Sequence, residues 1–187
     1  WDRFVRIFHW TVVTCVVLNY WVLEEGEWPH EWAGYLAAAM VVARIVWGFI
    51  GSRHARFADF FPTPARLRQH LQALRSHRPD FHWGHNPLGA IMMLLLMALV
   101  LSLGLTGWMQ GTDAFFGEGW LQDLHETLAN ALVISAGLVN FIAFYTKSND
   151  EFSRVGVTIG LALTAVLMII MRRLIASLIK RRWGGRL

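Results

Sequence analysis

The segment His30–Ile50, HEWAGYLAAAMVVARIVWGFI, decides the fold. From Ala33 to Ile50 it is apolar apart from Arg44, and a histidine stands at its mouth. A helix crossing the hydrocarbon core of a bilayer takes about 20 mostly apolar residues, and this run is close to that length. Three further stretches have the same character: Phe8–Leu23, Leu88–Met109 and Thr127–Thr146. A fifth, Val155–Met171, carries no charge but is shorter. These stretches use up most of the 187 residues, and 55% of the chain is hydrophobic, more than a soluble domain of this length carries. The sequence therefore predicts an all-α fold. It is a transmembrane helical bundle of four core helices with a fifth, C-terminal apolar helix, forming a single domain over residues 1–187.

Loop charges give this bundle an orientation. The loop after the first apolar run contains Glu24, Glu25, Glu27 and Glu31 without Lys or Arg. The loop after the third contains Asp113, Glu118, Asp123 and Glu126, again without Lys or Arg. The loop after the second carries Arg53, Arg56, Arg66, Arg68, Arg75 and Arg78, and the chain start adds Arg3 and Arg6. The N-terminus and the arginine-rich loop are expected on the cytoplasmic side and the acidic loops outside. The net charge of +4 is then a topology signal and gives no support to nucleic-acid binding. If Val155–Met171 spans, the cluster Lys180, Arg181, Arg182 and Arg186 lands outside, against the same rule. A re-entrant or interfacial helix with Arg172 and Arg173 on its polar face is the alternative. Within the long loop, Pro62-Thr63-Pro64 precedes Ala65–Leu74, which reads as a short helix lying on the membrane surface. Gly84-His85-Asn86-Pro87 is a turn that opens the third span with proline in its first turn. The lone cysteine, Cys15, excludes intrachain disulfides, iron–sulfur clusters and Cys-rich zinc sites.

Ionisable groups at membrane depth are costly, so each needs a reason. The second and fourth spans run in the same direction, with His30 and His125 at their outer ends. Two such imidazoles at one depth can clamp a haem iron from both sides. Interfacial histidines among lipid headgroups are the alternative for either residue alone; the matched depth favours ligands. Fourteen residues further along a helix, about 21 Å of rise, the same face returns. From His30 this step reaches Arg44, and from His125 it reaches Val139 with Asn140 beside it. His9 lies at this inner depth. A second haem layer there would place His9 on the iron and Arg44 near a propionate, or Arg44 snorkels to the headgroups. His54, His70, His77 and His82, in the cytoplasmic loop, read as solvated surface residues, the alternative being that one or two of them hold a quinone carbonyl or a haem propionate. Trp28, Trp32, Trp108 and Trp120 fit an aromatic belt at the outer boundary.

The segments Trp1–Trp10 (WDRFVRIFHW), His30–Tyr35 (HEWAGY), Arg44–Gly51 (RIVWGFIG) and Gly84–Ala90 (GHNPLGA) resemble the bacterial cytochrome b-561 family. That family includes the b-type cytochrome subunit of nickel–iron hydrogenases. The likeness runs on through Leu124-His125-Glu126, so residues 1–138 are family-like and 139–187 are atypical. The resemblance implies an integral protein of the bacterial inner membrane, holding haem b, one or two per chain. It implies electron transfer between the quinone pool and a redox partner, either a periplasmic carrier such as a c-type cytochrome or a hydrogenase-like subunit. The chain then acts as an electron-transfer protein or a quinone-linked oxidoreductase subunit, with no catalytic side chain assigned. By the same resemblance His9, His30 and His125 match three of four axial ligands, and the fourth position holds Val139. The inner haem is thus absent, ligated by His9 alone, or completed by His85, with Asn140 a poorer ligand. A structural or assembly subunit of a larger redox complex, with reduced haem content, is the alternative function. A transporter is disfavoured because the four best spans carry no acidic residue in mid-membrane.

The charge asymmetry has a direct test. Single cysteines introduced as Glu25→Cys and Arg68→Cys are expected to react with an impermeant thiol reagent from opposite sides of intact cells and inverted vesicles. Labelling of both from one side contradicts the topology.

Overall fold

The computed structural model describes residues 2–76 and 87–147. By its internal packing the chain forms two compact units, Trp1–Ala136 and Gly137–Leu187. Of the second, only the helical stretch up to Lys147 is described.

Among the described residues every long element is a helix, and its start carries a local signal. α1, Arg3–Trp21, begins after Asp2, whose carboxylate accepts a hydrogen bond from the Phe4 amide at 2.9 Å. That satisfies one of the amides a helix start leaves without an intrahelical partner. The acidic loop that follows turns at Gly26, whose φ of 80° suits a residue without Cβ. α2, Trp28–Ile50, opens on Trp28-Pro29, where proline's fixed φ suits the helix start and its missing N–H costs nothing. It ends at Gly51, whose amide reaches back to the Trp47 carbonyl. A 3₁₀ turn over Arg53–Ala55 and the short α3, Phe57–Phe60, lead to α4, Pro64–Arg75. α5, Pro87–Gln110, also opens on proline. A second turn with positive φ, at Gly117, precedes α6, Gly119–Lys147.

α1, α2 and α5 are each long and apolar enough to cross a membrane. Four helices contribute to one core: Cys15 from α1, Ala37 and Val41 from α2, Met97 and Val100 from α5, and Leu132 from α6. This core is small. Large apolar side chains such as Val42, Phe49 and Leu105 are left on the outside at 52–70% exposure, as a surface facing lipid tails requires. Lipid removes the hydrophobic drive between helices, so association depends on close contact. Gly104 of α5 supplies it: a Cβ there would sit 2.7 Å from the Cβ of Ala38 on α2. Gly48 of α2 does the same for the loop, with the Phe57 ring lying where its side chain would be.

Three of the four strongest apolar stretches lie wholly within a helix, and the first, Phe8–Leu23, runs two residues past the end of α1 at Trp21. Each helix starts before its apolar run. Polar and aromatic residues at the ends, such as Arg3–Ile7 and Gly119–Glu126, break the apolar pattern without breaking the backbone ladder. The surface-helix expectation for Ala65–Leu74 corresponds to α4. His70 departs from its expected place: it is 6% exposed, because it lies on a buried face of α4, and α4 packs against α5. The 3₁₀ turn and α3 carried no sequence signal. Val155–Met171, the basic tail, and His77, His82 and His85 lie outside the described residues.

Adding one methyl at the α2–α5 contact is expected to be costly. Gly104→Ala should lower stability in detergent by about 1–3 kcal/mol through overpacking. Gly34→Ala, where the new Cβ meets only the Asn19 side chain at 3.5 Å, should be close to neutral. Equal thermal midpoints for the two variants would contradict the close-contact account.

Candidate functional site

His30 lies in the first turn of α2 and His125 in the second turn of α6. Both helices start from an acidic loop, and the structure brings the two rings together at that end of the bundle. Their centroids are 6.4 Å apart and their planes are inclined at 54°. A metal–imidazole bond of about 2.0–2.1 Å plus roughly 1.1 Å from nitrogen to ring centre, taken twice, gives about 6.2 Å. The observed separation therefore matches two imidazoles on opposite sides of one metal ion. A tilted ring–ring contact has the same spacing, so the distance is read together with the polar surroundings of the two rings.

The pair is built by polar contacts from every neighbouring helix. The Thr106 hydroxyl of α5 lies 2.7 Å from Nδ1 of His125. Gly107 leaves room for the ring: a Cβ there would approach Cε1 of His125 at 3.4 Å. On α1, the Asn19 side-chain amide donates to the His30 carbonyl at 3.1 Å. One turn deeper on α6, Asn130 accepts from the Tyr20 hydroxyl at 2.6 Å. Nδ1 of His30 is buried without a hydrogen-bond partner. Buried polar groups are normally paired, so an orphaned ring nitrogen calls for an explanation, a bound group among them. Among the described residues no three His, Cys, Asp or Glu side chains converge on a metal position. Two imidazoles alone supply the axial ligands of a group that brings its own equatorial donors, which is the donor set of a haem.

At the basic end the structure places Arg44 and His9 in different settings. Arg44 is 2% exposed, donates to the Ala55 carbonyl at 3.0 Å and has its guanidinium 5.3 Å from the Phe57 ring centre. Its second terminal nitrogen is buried without a partner. His9 is on an exposed face of α1, edge-on to Trp10 at 5.8 Å. Asp2 accepts from the Trp47 indole at 2.9 Å and the Ser52 hydroxyl at 2.7 Å, pinning the start of α1 to the end of α2. Ser52, Trp47 and the Phe4 amide hold the Asp2 carboxyl below the usual carboxylate range. Val139 lies on the helical backbone of the second unit, and His85 lies outside the described residues.

Sequence reading missed Thr106, Asn19, Tyr20 and Asn130. The available signal was a polar residue within each apolar run; a lone threonine or asparagine there is common enough that only its partner gives it meaning.

A family model described as prokaryotic cytochrome b561 matches residues 1–147. The chain is similar to three proteins named "Probable Ni/Fe-hydrogenase B-type cytochrome subunit". The Rhodobacter capsulatus protein is 27% identical over 178 residues, covering 71% of this chain and 68% of the relative. That of Rhizobium leguminosarum bv. viciae is 25% identical, covering 62% of this chain and 60% of the relative. That of Azotobacter vinelandii is 25% identical, covering 64% and 62%. The chain thus spans about three-fifths of the length of two of these relatives. No solved structure matches it. The family match takes in every described helix, from α1 to the last residue of α6, and on that ground the chain belongs to the prokaryotic cytochrome b561 family.

Proposed function

We propose that the chain holds one b-type haem between His30 and His125 and transfers electrons within the membrane. Family membership carries membrane haem electron transfer as the general function. The observation that supports this site is the 6.4 Å separation of two imidazoles at one end of the bundle. Bound there, haem iron would take up and release single electrons. The chain's own part is to present two ring nitrogens from opposite sides and to keep both rings fixed by packing. It also excludes water through the apolar core of four helices.

The finer reading follows from charge and from the relatives' names. The chain is a multi-pass protein of the bacterial inner membrane with four core spans, α6 being the fourth, and its N-terminus is cytoplasmic. The acidic loops then lie in the periplasm, where they suit docking of a positively charged carrier such as a c-type cytochrome. A hydrogenase-like subunit is the other candidate partner, by likeness to proteins named as hydrogenase cytochrome subunits. Quinone or quinol is proposed as the membrane-side partner.

A second layer at the basic end would take His9 as a ligand, with Arg44 offering its unpaired nitrogen to a propionate. His85 is the candidate for the missing ligand. Val139 at the expected fourth-ligand position favours a chain with reduced haem content, and with it the second reading, a structural subunit of a larger redox complex.

His30→Ala and His125→Ala should each abolish the low-spin haem band of the proposed site, while His9→Ala leaves that band intact. Retention of the full haem spectrum in both His30→Ala and His125→Ala would refute the pair. Loss of the band in His9→Ala alone would move the site to the basic end.

A further inference from the structure

α5 contributes no histidine to the site, yet its Thr106 hydroxyl makes a hydrogen bond to the His125 ring. The Thr106 hydroxyl is 2.9 Å from the Ser102 carbonyl and 3.2 Å from the Leu103 carbonyl of its own helix. It is 2.7 Å from Nδ1 of His125. A hydroxyl has one proton to donate, and carbonyl oxygens can only accept. Thr106 is 6% exposed, so water does not compete for these positions. The arrangement that avoids opposed lone pairs sends the hydroxyl proton to the helix carbonyls and has Nδ1–H of His125 donate to Oγ1. The reverse arrangement would set the Thr106 oxygen lone pairs against two carbonyl oxygens in a buried setting.

We infer that Thr106 is a positioning residue that holds His125 in the Nδ1–H tautomer and turns its bare Nε2 toward the space shared with His30. This rests on the haem site proposed above. A hydrogen bond at Nδ1–H makes the imidazole a stronger donor at Nε2, which favours the ferric state and lowers the haem potential. His30 has no counterpart, since its Nδ1 is buried without a partner. The two axial ligands are therefore inequivalent: His125 is the stronger, orientation-locked donor and His30 the weaker one. Gly107, next to Thr106, keeps the ring in place by leaving its edge unobstructed.

Two measurements test this on the full chain. In the apoprotein labelled with ¹⁵N-histidine, His125 should show a protonated Nδ1 and an unprotonated Nε2, and Thr106→Val should weaken that preference. A wild-type chain with the proton on Nε2 overturns the inference whether or not haem binds. In the haem-loaded protein, Thr106→Val should raise the midpoint potential and shift the low-spin electron-paramagnetic-resonance signal. Thr106→Ser should restore both. If the valine variant fails to take up haem, Thr106→Ala replaces it in the comparison with serine. Loaded variants without the hydroxyl that match the wild type in potential and resonance overturn the positioning role. A chain with the Nδ1–H tautomer that takes up no haem refutes the histidine-pair site instead, and the two failures are thereby told apart.

Discussion

Two imidazole rings 6.4 Å apart constrain everything around them at the acidic end of the bundle. Neither ring is placed by its own helix alone. His30 sits where Pro29 starts α2, and its carbonyl is held from α1 by Asn19. His125 sits on α6, and its ring is held from α5 by Thr106. The helices must also keep a fixed rotation about their axes, since a turn of one residue would carry either ring about 100° away. The Tyr20–Asn130 bond between α1 and α6 and the Gly104–Ala38 contact between α5 and α2 supply that restraint. In lipid, where apolar surface gives helices no reason to choose one rotation over another, such polar and close-packed contacts decide the arrangement.

The basic end is organised differently. There most contacts bind the chain to itself. The Asp2 carboxylate, kept ionised by its three donors, joins the start of α1 to Trp47 and Ser52 at the end of α2. Arg44 reaches across to the Ala55 carbonyl and the face of Phe57, so the turn after α2 is folded back over the helix. A buried guanidinium with only part of its donors used is an expensive group to keep. The cost is understandable if an anion completes the site, which is how Arg44 and a haem propionate are connected in the proposed second layer.

Much of this was legible in the sequence because lipid imposes a simple rule. Apolar runs from Phe8, Ala33, Leu88 and Thr127 read as helices, since a bilayer admits only helices and closed barrels and these runs are too long and too uniformly apolar for barrel strands. His30 and His125 were legible for the same reason: a histidine at the mouth of an apolar run is conspicuous, and two at one depth suggest a pair. Thr106 was not, because a threonine costs little in a membrane helix and its role comes from a ring nineteen positions away. Nor was the burial of His70, which depends on the face of α4 that meets α5. Loop charges describe a side of the membrane, whereas burial is decided by which face of a short helix its neighbour covers.

The central claim is that one haem is held by two imidazoles of this chain. Its most direct test is haem per chain by pyridine haemochrome on the purified protein, combined with electron paramagnetic resonance of the oxidised form. The account predicts protohaem in at least equimolar amount, with a low-spin signal of the bis-imidazole type. A purified, folded chain that carries no haem, or whose haem is wholly high-spin, contradicts it.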